Sequence, residues 1–169
     1  MEALHDFFLF KGKSWFIMVR FRISTVIHKP ADVVARALNN AENAPYWTTD
    51  LVKFEVIKGG PDMVGSVGHL HYLQKGRSYI LVDKLIYCEP GKKYISEVEG
   101  EAISARVETT LNDQGGKTEM DLVWEGKGRN LALKVLLPLL KGRMIRQSKK
   151  ELETFRELVE TRGSDFKVL

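Results

Sequence analysis

Between residues 52 and 127 the chain runs through six segments of strand-like character, and then its hydrophobic period changes. The segments are Val52–Lys58, Val64–Gln74, Ser78–Cys88, Lys93–Glu99, Ala102–Asn112 and Lys117–Lys127. The breaks between them carry turn chemistry: Gly59-Gly60-Pro61-Asp62, Lys75-Gly76-Arg77, Glu89-Pro90-Gly91, Gly100-Glu101 and Asp113-Gln114-Gly115-Gly116. Connections this short join neighbouring antiparallel strands, so the segments predict a meander. Beyond them Leu133, Leu137, Leu140, Met144, Ser148, Leu152, Phe155 and Val159 recur every three or four residues, the mark of a long amphipathic helix. Pro138 falls inside that pattern, where it either kinks the helix or marks its first turn.

Ahead of the meander, Val19–Ile27 is rich in β-branched and aromatic residues and reads as a further strand. Lys29-Pro30-Ala31-Asp32 then opens a helix, with proline suited to its first turn and Asp32 to its dipole. Val33, Val34, Ala37 and Leu38 supply its apolar face, and a second short helix is expected over Glu42–Trp47. The order is strand, two short helices, six strands, one long helix. A seven-stranded sheet with one apolar face must cover it, and only the long helix is large enough. The expectation is an α+β fold in which a curved antiparallel sheet wraps around the C-terminal helix, leaving space between them. The 169 residues suit one such domain over residues 18–162, with an N-terminal extension at 1–17 and a tail at 163–169.

Residues 1–17 stand apart, with the apolar clump Phe7-Phe8-Leu9-Phe10 followed by Lys11-Gly12-Lys13. Two readings stand: an extension that packs on the domain, or a natural start at Met18. Glu2 and Asp6, where a secretory signal carries positive charge, and the interrupting lysines argue against such a signal. No apolar run approaches the length of a membrane span. The single cysteine, Cys88, excludes an internal disulfide and suits a cytoplasmic location. A net charge of +4 is too mild and too scattered for a nucleic-acid binder, so nucleic acid is not an expected partner.

The element order and three stretches of sequence resemble the SRPBCC superfamily, which includes START domains, the major birch pollen allergen, and polyketide cyclase/dehydratase and lipid-transport proteins. TVIHKPADVVARALNNAENAPYW is similar to its first strand and helix pair, ending at Trp47. MVGSVGHLHYLQKGRSYILVDKLIYCEPGKKY is similar to its glycine-marked strand, hairpin and Pro-turn, and LLPLLKGRMIRQSKKELETFRELVE to its terminal helix. The resemblance covers residues 18–160 and implies the helix-grip fold. It carries over no catalytic set, because no motif in it is a catalytic one.

A pocket for a small hydrophobic ligand is expected between the helix and the inner sheet face. Its candidate lining is Tyr94, Val107, Leu122, Trp124, Leu137, Leu140 and Met144, with Trp47 at the mouth. His69 and His71 share one face of their strand and are the candidate polar groups, for binding a carboxylate or for acid/base work. The competing reading puts both on the solvent face, since Leu70 and Tyr72 occupy the opposite one. No third ligand is evident beside them, so neither a metal nor any other cofactor is expected. Trp47 equally suits plain burial between helices and sheet. Asp83 and Lys84 interrupt an apolar strand whose facing is open; a carboxylate turned inward needs a partner. Glu97, Glu99, Arg106, Glu108, Glu119, Asp121 and Glu125 read as the solvent face of the sheet.

No nucleophile elbow, phosphate-binding glycine loop or zinc-spaced cysteine set is present. Lys141, Arg143, Arg146, Lys149 and Lys150 make the last helix cationic, which suits a solvated face or peripheral contact with an anionic membrane. Three functions remain: carriage of a lipid-like or polycyclic ligand, a polyketide cyclase/dehydratase-like reaction in the same cavity, or a protein-interaction module.

Overall fold

The computed structural model describes residues 18–167. Strand β1 (Val19–Ile27) leads into helix α1 (Ala31–Asn39), a single 3-10 turn (Ala41–Asn43) and helix α2 (Ala44–Trp47). Six strands follow: β2 (Leu51–Lys58), β3 (Val67–Gln74), β4 (Arg77–Glu89), β5 (Lys93–Glu99), β6 (Ile103–Asp113) and β7 (Thr118–Gly128). Helix α3 (Leu131–Arg162) closes the order. The seven strands form one curved antiparallel sheet in the order β1-β7-β6-β5-β4-β3-β2, so β1 and β2 are its edges. The α+β helix-grip architecture expected from the sequence is the one observed. The N-terminal extension expected over residues 1–17 lies outside the described residues.

Local chemistry explains the elements. In β1, Val19, Phe21, Ile23 and Ile27 are buried while the residues between them face outward. The hairpin between β3 and β4 turns on Lys75 and Gly76, whose φ values of 50° and 78° are both positive. That is the two-residue turn whose twist matches the flanking strands. The side chain of Asn130 accepts a hydrogen bond from the Leu133 N–H at 2.8 Å and caps α3. Because α3 begins at Leu131, Pro138 lies within the helix and not in its first turn. It deprives the Lys134 carbonyl of its helical donor.

Helix α3 lies across β1 and β7. A Cβ at Gly128 would stand 2.5 Å from the Leu133 carbonyl carbon, so the missing side chain is what lets the helix cross the end of β7. Leu152, Phe155 and Val159 are buried, and Phe155 is flanked edge-on by Trp47 at 5.1 Å and Phe166 at 5.8 Å. After α3 the chain folds back: Phe166 is fully buried, and the side chain of Asn43, also fully buried, donates to the carbonyls of Ala37 and Ser164 at 2.9 Å each. On the outer sheet face Arg22 pairs with Asp121 at 2.8 Å and Lys93 with Glu108 at 2.7 Å.

Candidate ligand cavity

The helix rests on one side of the sheet, at β1 and β7, and the other side curls away from it. Between them lies a cavity of about 1080 Å³. Strand register assembles its wall. Directly paired residues alternate inward across the sheet: Gly68 with Asp83 and Asp83 with Val98, then Leu85 with Ser96, Ser96 with Val107 and Val107 with Trp124. Tyr94, Thr109 and Leu122 form the next row. Leu51, Phe54 and Val56 of β2 extend the wall to the sheet edge, Trp47 and Thr48 come from the end of α2, and α3 contributes Ser148, Glu151 and Leu152. Apolar groups predominate. A Cβ on Gly68 would lie 1.9 Å from the Phe54 ring, so that glycine makes room for an aromatic wall.

Of the sequence candidates, Trp47, Tyr94, Val107, Leu122 and Trp124 line this cavity. Trp124 also stacks on Phe21, with ring centroids 5.5 Å apart, and Trp47 packs on Phe155, so each tryptophan serves wall and core together. The other five do not line it. Leu137 is buried in the core, Met144 is half-buried against it and Leu140 is half-buried, because this part of α3 crosses β7 and β1 before the helix reaches the cavity. His69 and His71 project from the outer face of β3, since Gly68, Leu70 and Tyr72 take the inner one. The reading that places the imidazoles in the pocket is therefore corrected.

Among the polar groups that line the cavity, Asp83 is a carboxyl set in the sheet wall. It lines the cavity amid apolar residues, and burial pushes its carboxyl from 3.8 up to about 6, while a hydrogen bond with Ser96 opposes the rise. Its sequence signal is the break it makes in an apolar strand. Tyr72 is stacked on Tyr79 at 5.1 Å, and burial, with the charge of Glu151 adding to it, holds its phenol above the ordinary range. Glu151 accepts from the Thr49 N–H at 3.0 Å and ties α3 to the residues after α2. The Tyr94 hydroxyl accepts from the Gly91 N–H at 2.8 Å. Such a cavity can enclose an apolar body, orient one polar group and hold a proton at Asp83.

A concave sheet, a long helix across it and a cavity between them define the helix-grip fold, which the chain shares with solved structures of low sequence identity. Zhui aromatase/cyclase from Streptomyces superposes with a TM-score of 0.69 at 16% identity, over 86% of this chain and 95% of that one. Ara h 8.0201 gives 0.66 at 15% identity, over 84% and 97%. A START superfamily protein from Mycobacterium smegmatis gives 0.65 at 14% identity, over 83% and 97%. No family model matches the sequence, and no curated protein matches it.

Proposed function

We propose that this chain binds a small, largely apolar ligand, lipid-like or polycyclic, carrying one polar group that meets Asp83. The observation behind the reading is the cavity itself: about 1080 Å³ with apolar walls, at the upper end of small-molecule sites, which run to about 1,000 Å³. A protonated Asp83 donates to a ligand carbonyl or hydroxyl, and an ionised one accepts from a hydroxyl or amine. Native mass spectrometry of the purified protein tests for a retained ligand. An environment-sensitive apolar dye should bind saturably and alter tryptophan emission, because Trp47 and Trp124 line the wall. Val107→Trp fills the middle of that wall and should weaken the dye at least about tenfold, or about 1.4 kcal/mol. Unchanged affinity in a folded Val107→Trp protein rejects the cavity as the site.

One observation favours an enzyme as the second reading. A carboxyl held near 6 inside an apolar cavity is suited to proton transfer near neutral pH. A cyclase/dehydratase-like reaction would use Asp83 as proton donor or acceptor, with Tyr72 orienting a carbonyl. Asp83→Asn separates the readings: a carrier retains binding with altered affinity, whereas an enzyme loses turnover while still binding its substrate.

The route to the cavity is proposed to run over an anionic membrane. On the outer side of α3, Leu131, Val135, Leu136 and Leu139 are exposed, Leu131 and Leu139 by more than three quarters. Lys141, Arg143, Arg146, Lys149 and Lys150 follow, all exposed and free of ion pairs among the described residues, and no acidic residue occurs from Leu131 to Lys150. Leucines that enter the headgroup layer beside cations that meet anionic lipid make a peripheral docking surface. Flotation should occur with vesicles containing phosphatidylserine and not with phosphatidylcholine alone, and Leu139→Glu should abolish it. Dimerisation in place of flotation would assign the surface to a second copy, and exposure of it only after removal of residues 1–17 would assign it to that segment.

A further inference from the structure

The outer side of the cavity wall carries a second cluster. Strand β2 is the sheet edge, and its pairing with β3 sets Glu55 directly across from His69, with His71 two residues along the same face. One ligand atom from each of the three lies within 4.8 Å of the others, and all three side chains are half-buried. His71 Nε2 and Glu55 Oε2 are 3.0 Å apart. His69 makes no hydrogen bond among the described residues; its ring meets that of His71 edge-on at 6.3 Å.

We propose that Glu55, His69 and His71 bind a divalent transition-metal ion, with Zn²⁺ the best match. Two imidazoles and one carboxylate are borderline ligands suited to zinc, cobalt or nickel and poorly suited to calcium or magnesium, which take oxygen. Metal–ligand bonds of about 2.0–2.2 Å place neighbouring tetrahedral ligand atoms about 3.3–3.6 Å apart. The Glu55–His71 pair is already near that separation, and side-chain rotation of His69 closes the remainder. The fourth position faces outward, so the ion keeps an exchangeable water. Lys53 bonds the other carboxylate oxygen, Oε1, at 2.8 Å, which leaves Oε2 for the metal while its charge opposes the cation.

Such an ion fastens the edge strand to its neighbour. The inner faces of these two strands present Phe54, Gly68 and Leu70 to the cavity, so the ion also stiffens that wall. The site stands whether or not the cavity holds the proposed ligand.

Chelator-stripped protein titrated with ZnCl₂ by calorimetry should take up one ion per chain with micromolar or tighter affinity. Co²⁺ in place of Zn²⁺ should give visible d–d absorption bands from nitrogen and oxygen ligation. His69→Ala, His71→Ala and Glu55→Gln should each weaken Zn²⁺ about tenfold or more. His28→Ala, whose ring pairs with Glu160 elsewhere, should leave the titration unchanged. Lys53→Met should tighten it, which no role confined to folding predicts. Melting curves of metal-free variants verify that each is folded. Absence of saturable uptake up to about millimolar zinc, or equal uptake by a folded His69→Ala/His71→Ala protein, would overturn the site.

Discussion

The side-chain oxygen of Asn43 accepts the backbone N–H of Phe166 at 2.9 Å, joining the turn between α1 and α2 to a segment 123 residues away. The same amide donates to Ala37 and Ser164, so one buried side chain satisfies three backbone groups around the cavity rim. Asn43→Ala removes all three partners. It should cost about 3 kcal/mol, given about 1–3 for each buried group left unpaired. Urea unfolding measures the loss, and a change under about half a kcal/mol would mean the closure is not a stabilising one.

Phe155→Ala should cost about 3–5 kcal/mol. Phe155 is fully buried between Trp47 and Phe166. The substitution should also change Trp47 emission, which follows unfolding and cavity repacking in one measurement.

Asp83 makes stability depend on pH. Its folded-state carboxyl is raised from 3.8 to about 6, so between those values the folded state binds more protons than the unfolded one. Stability therefore falls as pH rises through that window, and the full cost of the buried charge is present above about pH 6. A shift of about two units corresponds to about 2–3 kcal/mol. Asp83→Asn should be more stable than the parent at pH 7.5 by an amount of that order, with the difference vanishing near pH 4. Equal pH profiles for the two proteins would place Asp83 in contact with solvent.

A chain that begins at Met18 should fold with a similar melting temperature, because β1 starts at Val19 and its buried residues have their partners within the domain. Loss of soluble expression on truncation would make the Phe7–Phe10 clump part of the folded unit.

Much of the fold was legible because its signals are local. Alternation along a strand, two positive-φ residues in a hairpin and the change to a helical period each lie within a few residues of chain. They mark the seven strands, the long helix and the order in which they occur. Facing is different, since parity assigns residues to two sides without saying which side is covered. For β3 it groups His69 with His71 and Leu70 with Tyr72, and only the lie of α3 and the register with β2 and β4 turn the second pair inward. Asp83 shows the same division: its interruption of an apolar run is visible in the sequence, but its bond to Ser96 depends on pairing with another strand. Glu55 joins His69 and His71 only because β2 folds back beside β3. The helix stripe foretold burial for Leu137, yet where α3 crosses β7, at Gly128, decided that Leu137 fills core while Ser148 and Glu151 reach the cavity. Sequence by itself determined periods and turns, which short-range sterics and hydrophobicity encode. The tertiary structure alone decided which faces meet, because that depends on packing between segments tens of residues apart.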